Sequence, residues 1–387
     1  MGDGALSDLS VLELAQGVAG PFCGKLFADL GADVIKVEPP EGDRSRRHGP
    51  FPGDEEHSER SGQFIYLNHN KRSVTLDIHD EASRELLRRL VGHVDVLVID
   101  LPPKQLEELA LTYEELRPLN ERLIMTAITP FGLVGPWRDH AATDFTAYMM
   151  SGLGYQTPYG QVTDLEAQPP LAGGGYQTDY LAGATAAAAT MIAVFHRRAS
   201  GEGQLVDISR MESVNAMVRN DYSAASYTPE RVPPRIKHGY AWVLPCEDGY
   251  LSFSPFNADH WWASFKELAG QPGWAQSELF DTAAGRQEHS DLLEQLTIEW
   301  LLTQKKFEIY EAARDAGIPC FPVNSMQELI ESRQYRHREF FVEVEHPEAG
   351  TLTQPGPPAR YSLTPVTVRE PAPRLGAHNA EVLEGLP

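Results

Sequence analysis

The chain alternates short apolar runs with amphipathic stretches, punctuated by glycine and proline. Ser10 to Ala15 reads as a strand, and Gly17-Val-Ala-Gly-Pro21 as a turn. Pro21 can open a helix, because its missing N–H is not needed in a first turn. Phe22 to Leu30 continues that helix, and Gly31 is placed to end it. Ala32 to Glu38 then reads as a second strand. Strand, helix and strand in close succession make a βαβ unit, which implies a parallel sheet.

The pattern recurs. Strands are predicted at Ser73–Asp77, Val94–Ile99 and Arg122–Ile128, with helices at Asp80–Val91 and Leu106–Leu116 between them. Leu86, Leu87 and Leu90 form one stripe of the first of these helices. The N-terminal third therefore reads as an open α/β domain. Composition changes after the Pro- and Arg-rich connector Pro229–Lys237. Two strand-like pieces, Tyr240–Pro245 and Tyr250–Phe253, flank the turn Glu247-Asp-Gly249, and helices follow near Trp261–Leu268 and Leu292–Leu302. That pattern suits a smaller α+β domain. The proline-rich tail, Pro347–Pro387, is expected to wrap back over the first domain.

Composition narrows the function. The chain has 387 residues and a formal net charge of −22. A nucleic-acid binder needs a basic face, so none is expected as a partner. An anionic ligand must instead meet a local cluster of positive groups. Cys23, Cys246 and Cys320 are odd in number and far apart, which fits neither a disulfide framework nor a zinc site. A reducing, cytoplasmic compartment is the expectation. Leu181 to Val194 is too short and too rich in alanine for a membrane span. The 13 histidines show no metal-ligand spacing, so no metal is expected.

Several motifs admit both a chemical and a structural reading. Gly17, Gly20 and Gly24 echo a dinucleotide loop, with Glu38 where a ribose-binding acid would sit. The spacing is not G-x-G-x-x-G, and Pro21 interrupts it. Lys71 and Arg72 could contact phosphate or could be edge-strand charges. Asp144 could cap the next helix or support a site. Asp179 follows Gly173-Gly-Gly175 and opens an alanine-rich helical run. A carboxylate there can be a nucleophile, or it can settle the positive end of a helix dipole. Tyr148, Met149, Met150, Tyr155, Trp242, Trp261 and Trp262 could line an apolar pocket or simply be core.

Five segments together resemble the class III coenzyme A transferases of the CaiB/BaiF type. They are Leu14-Ala-Gln-Gly-Val-Ala-Gly-Pro21, Leu30-Gly-Ala-Asp-Val-Ile-Lys-Val-Glu38, Asn70-Lys-Arg-Ser-Val-Thr-Leu-Asp77, Thr129-Pro-Phe-Gly-Leu-Val-Gly-Pro136, and the run from Asp179 through Ser200-Gly-Glu-Gly-Gln-Leu-Val-Asp-Ile-Ser209. The resemblance covers nearly the whole chain in order. It implies a large Rossmann-like open-sheet domain formed by both chain ends (1–226 and 326–387), a small α+β domain (227–325) and an interlocked homodimer. It makes Asp179 the catalytic nucleophile, passing through an aspartyl anhydride and an aspartyl-CoA thioester. Coenzyme A and acyl-CoA are then substrates, with a carboxylic acid as acceptor and no tightly bound cofactor. The CoA site implied by the match comprises Val18, Ala19, Leu76, Asp77, Ile78, His79, Asp100, Leu101, Pro102, Ala142, Thr143 and Asp144. Pro39-Pro40 stands where relatives often carry an arginine, so Arg44, Arg46 or Arg47 is expected to substitute. The formyl-CoA branch's glycine-rich lid is absent at Lys237–Tyr240. The α-methylacyl-CoA racemases place a His-Asp pair at Thr143-Asp144, and a threonine cannot act as the imidazole acid/base. Racemase is the alternative enzyme, and a non-catalytic acyl-CoA-binding subunit the alternative outside catalysis.

Overall fold

A computed structural model describes residues 4–228, 235–241 and 243–385, with only the backbone given for Arg219 and Asn220. The chain divides into two compact units. The larger comprises Met1–Gly154, Ala172–Ala224 and Arg333–Pro387; the smaller comprises Tyr155–Leu171 and Ala225–Ser332. Tyr155–Leu171 thus lies in the smaller unit, although the sequence pattern places it within 1–226.

The larger unit is built on six parallel strands: β1 (Ser10–Leu14), β2 (Asp33–Glu38), β3 (Lys71–Thr75), β4 (Val96–Ile99), β5 (Ile124–Thr129) and β6 (Gln204–Ser209). Their order is β3-β2-β1-β4-β5-β6. β1 pairs with β2 through Leu12 and Ile35, and with β4 through Leu12 and Leu97. Alternate residues feed two apolar layers, so the central strands are buried on both faces. Val11, Val34, Val96, Val98 and Ile124 pack under helices α1 (Ala19–Asp29) and α5 (Gln177–Ser200). Leu12, Val37, Val74, Leu97 and Met125 form the opposite layer with α2 (Glu81–Val91) and α3 (Pro103–Glu108). Helix α4 (Asp144–Met150) precedes α5, and α6 (Arg210–Asn215) follows β6.

The strand and helix positions follow the expected alternation, with two differences. The helix expected over Leu106–Leu116 is broken into Pro103–Glu108 and Tyr113–Leu116. Ala110 takes a φ of 52°, and its carbonyl accepts from Arg88. Thr112 and Glu115 form a capping box that restarts the helix. The sixth strand, Gln204–Ser209, is not evident from the apolar pattern; it is only partly buried and lacks a clear apolar run.

Below the loops after β1 and β2 lies a buried ion cluster. Lys36 Nζ bonds Glu13 at 2.9 Å and Asp43 at 2.7 Å, and donates to the Ala15 carbonyl at 2.9 Å. Lys71 Nζ reaches the other Glu13 oxygen at 2.7 Å and the Pro21 carbonyl at 2.8 Å. Glu38 receives Arg46 at 2.7 and 2.9 Å, while the Arg46 guanidinium lies over Phe64. Gly24 lets this cluster form: a Cβ there would collide with the Glu13 carboxylate. The tail closes over the same edge. Asn70 bonds Thr367, and the Arg369 and Glu370 amides donate to Asn70. Asn379 pairs with Thr75.

The smaller unit carries an antiparallel sheet of β7 (Val243–Cys246), β8 (Gly249–Phe253) and β9 (Cys320–Pro322) in that order. Its core gathers Phe253, Phe256, Trp262, Phe265 and Phe280. Trp262 is therefore core in that unit, and Trp242 lies outside the described residues.

Candidate active site

The chain runs from β1 outward to β2 and β3, then returns to the other side of β1 as β4. Crevices outside the carboxyl ends of strands open at such a reversal. A cleft of about 360 Å³ lies there, lined among others by Gln16 and Ala19 after β1, Asp100 and Pro102 after β4, Asp179 and Arg210.

Helix α5 positions Asp179. The helix is long because its alanine face, with Ala182, Ala186, Ala187 and Ala193, packs against α1 and the sheet. Thr190 bonds Thr126 on β5 at 2.6 Å. At its C-terminal end Arg197 pairs with Asp95 at 2.9 Å and donates to the Arg122 carbonyl. By length and apolarity this helix could cross a membrane, but half of the qualifying window is buried inside the fold. At its N-terminal end Tyr180 packs edge-on against Phe22 of α1, with centroids 4.9 Å apart.

Asp179 is the third residue of α5, so its N–H has no partner within the helix. Asp144 supplies one: its Oδ1 accepts the Asp179 N–H at 2.9 Å. Asp144 therefore caps α5 from a separate segment, while Thr143 caps α4 by accepting the Thr146 N–H. Arg210 takes hold of the nearby side chain. Its Nη1 lies 2.6 Å from Asp179 Oδ1, and its Nη2 donates to the Ala142 carbonyl at 2.9 Å. Both side chains are close to buried, with Asp179 at 9% and Arg210 at 11% exposed. The Asp144 carboxyl is held above its ordinary range, first by burial, against the pull of the Asp179 backbone bond; the Asp179 charge adds to the rise.

On the other wall, Asp100 accepts the Gln16 N–H at 3.0 Å and faces Arg44 at 3.9 Å. Burial pushes its carboxyl up to about 6. Gly17 brings Arg44 to this wall. It has a φ of 82°, and a Cβ on it would meet the Arg44 guanidinium at 2.6 Å.

Of the residues implied for the CoA site, Ala19, Asp100, Leu101, Pro102 and Ala142 line this cleft with Asp179, and Asp144 bonds Asp179 directly. The others are not in its lining. Val18 is buried beneath the first turn, and Leu76 and Ile78 pack into or against the apolar layer. Asp77 and His79 are exposed beyond β3, where the Asp77 carboxylate accepts the His79 N–H. Thr143 is occupied as a cap.

Several charged candidates from the sequence are taken up by structural partners. Arg46 is enclosed by Glu38 and Glu59, so it is not open to a phosphate; Arg44 is the arginine on the cleft wall, and Arg47 is exposed outside it. Lys71 is buried on Glu13, and Arg72 pairs with Asp33 and Glu381. Glu38 holds Arg46 and Ser73, which removes it as a ribose acceptor. Cys320 is buried, and its thiol is pushed up to about 12 by that burial, as suits a packing residue. Arg138 and Arg210 fall outside the segments that carry the resemblance, and Gln16 lies within one without a role implied for it, yet all three line the cleft. Arg210 stands one residue past the β6 terminus, the kind of position that faces a crevice in an open α/β sheet.

The fold is α/β, and the cleft at the carboxyl edge of its sheet brings a carboxylate and a guanidinium together. The chain belongs to CoA-transferase family III, whose family model matches residues 6–379. It is 33% identical to the succinyl-CoA–D-citramalate CoA-transferase of Chloroflexus aurantiacus, over 98% of this chain and 94% of that protein. It is 32% identical to the succinate–glutarate CoA-transferase of Agrobacterium fabrum, over 98% and 95%. A CaiB/BaiF family protein from Brucella suis has the same fold, with a TM-score of 0.87, 27% identity and coverage of 99% of this chain and 100% of that one. The protein is a class III CoA-transferase, and CoA thioesters are the substrates of its family.

Proposed function

We propose that this enzyme moves CoA from an acyl-CoA donor to a carboxylic acid through covalent intermediates on Asp179. The observation carrying the reading is the placement of Asp179 on the cleft wall, its N–H fixed by Asp144 and one carboxylate oxygen held by Arg210. A carboxylate fixed in this way can attack a thioester carbonyl, which divides one exchange into activated steps. Asp179 displaces CoA thiolate and forms a mixed anhydride. The thiolate attacks the aspartyl carbonyl, releasing the donor acid and leaving an aspartyl-CoA thioester. The acceptor carboxylate reverses the sequence and leaves as its CoA thioester.

In this reading the CoA chain enters past Ala19, Asp100, Leu101, Pro102 and Ala142, and its nucleotide extends toward Val18 and Leu76–His79, with Thr143 and Asp144 at the site's edge. Arg44 meets an anionic part of the ligand. The Chloroflexus relative's name makes succinyl-CoA the first donor to test. The enzyme works in the cytoplasm as an interlocked homodimer, which would cover the exposed Ile192 and Phe195 of α5. The racemase alternative needs an imidazole at position 143, where a threonine caps a helix.

The test is chemical trapping. Incubation with succinyl-CoA and hydroxylamine, with a screen of other CoA donors in parallel, should convert Asp179 to its hydroxamate in the tryptic digest. Full turnover with Asp179 unmodified would sink the covalent reading.

A further inference from the structure

The two oxygens of Asp179 are not equivalent. Oδ1 lies 2.6 Å from Arg210 Nη1, and Arg210 is itself anchored by Nη2 on the Ala142 carbonyl. The Arg210 side chain is only 11% exposed, which leaves it little room to leave its partner. Resting on the covalent reading above, we infer that Arg210 is a catalytic residue that fixes Oδ1 as the permanent oxyanion oxygen and leaves Oδ2 as the only oxygen that makes and breaks bonds.

In the first step Oδ2 attacks the donor thioester carbon, the C–S bond breaks, and the thiolate carries away the electron pair. The thiolate then attacks Asp179 Cγ, and the carbonyl π pair moves onto Oδ1. Arg210 meets that charge with a preformed donor. The tetrahedral centre collapses by breaking the Cγ–Oδ2 bond, and the donor acid departs carrying the oxygen that was Oδ2. The acceptor carboxylate attacks Cγ of the thioester, again raising charge on Oδ1, and the thiolate leaves. That thiolate attacks the acceptor carbonyl carbon, and Asp179 is released holding one oxygen from the acceptor. Oδ1 never leaves. A donor aimed at a developing oxyanion acts mainly in the transition state, which is where it raises kcat.

Oxygen counting tests this. The intact enzyme is cycled many times with the acyl-CoA and acid that turn over fastest, the acid carrying oxygen-18 in both carboxyl positions and in large excess. The peptide containing Asp179 is then isolated and weighed by mass spectrometry. One heavy oxygen, unchanged by further turnover, is expected. Two heavy oxygens would overturn the pinning of Oδ1 while leaving the covalent route standing, since the label can enter only through it. None would overturn that route and the inference with it. Arg210→Gln should lose about 10²- to 10³-fold in kcat, with KM for acyl-CoA changed far less. Its carboxylate should turn between cycles and take up two heavy oxygens; retention of one would place the pin elsewhere. If this variant does not fold, the count in the unaltered enzyme decides alone.

Discussion

Glu13, Lys36, Asp43 and Lys71 set two buried carboxylates against two buried ammonium groups. Asp144, Asp179 and Arg210 set two carboxylates against one guanidinium, beside an open cleft. In the first cluster charge is balanced, and the backbone carbonyls of Ala15 and Pro21 and the amide oxygen of Asn68 take the remaining ammonium protons. It joins the ends of β1 and β2 to the start of α1 and presents nothing to solvent. In the second cluster balance is incomplete, and the Asp144 carboxyl is raised, first by burial and further by the Asp179 charge. Closure makes a frame, whereas a missing partner beside an open cleft leaves room for a ligand's charge. Both clusters belong to one unit, so substitutions can separate these roles.

The largest effect is expected at the proposed nucleophile. Asp179→Asn should lower transfer by at least about 10³-fold, as loss of a covalent nucleophile does. Its thermal midpoint should stay close to that of the unaltered protein. A variant that loses activity and melts early would make Asp179 structural. Next comes the frame. Glu13→Gln leaves Lys36 and Lys71 without their shared acid, and breaking a buried pair costs about 3–5 kcal/mol. Urea unfolding at neutral pH measures it, and a loss under about 1 kcal/mol would show that the cluster is not closed.

A third test uses pH. The Asp100 carboxyl is raised to about 6 in the folded chain by burial. Its folded form therefore favours the proton, so ionisation works against folding as pH rises from the ordinary carboxylate value through 6. Asp100→Asn should then stabilise the protein above pH 6 by up to about 3 kcal/mol, since each pH unit between the ordinary and the raised value is worth about 1.4 kcal/mol. The side chain is 18% exposed and faces Arg44, so the gain should fall below that ceiling. Below the ordinary carboxylate range the gain should vanish. A gain independent of pH would point to packing instead. Last, Asp144→Ala removes the cap of α5 and one negative charge. It should cost about 1 kcal/mol of stability, and the loosened Asp179 backbone about tenfold in kcat. Unchanged kcat would leave Asp144 a cap alone.

Periodicity is enough to read β1, β2, β4 and β5, whose mostly apolar runs are buried on both faces, whereas β3, the edge strand Lys71-Arg-Ser-Val-Thr75, lies two residues before the expected Ser73–Asp77. It misses β6, whose Gln204–Asp207 are only partly buried or exposed, and it misses the break at Ala110, which a carbonyl bond from Arg88 supports. Asp179 can be named because the whole chain resembles a family; locally it is indistinguishable from a capping acid. The structure shows that the capping acid is Asp144, on a different segment. Arg210 gives no local signal, since an arginine after a strand is usually solvated. Lys71, Arg46 and Glu38 mislead for the reverse reason. Each looks like a ligand-binding charge in sequence, and each is consumed by a partner that only the sheet brings near.

The strand order has a consequence for synthesis. β5 ends at Thr129, but its outer neighbour β6 begins only at Gln204, after the long return that carries α5. While those residues emerge from a ribosome, β5 is an unpaired edge able to accept any passing strand. The alanine face of α5 must find its seat during the same interval. The nascent chain thus carries an open sheet edge until the helix that holds Asp179 has been made, and shielding that edge by chaperoned translation should raise the soluble yield.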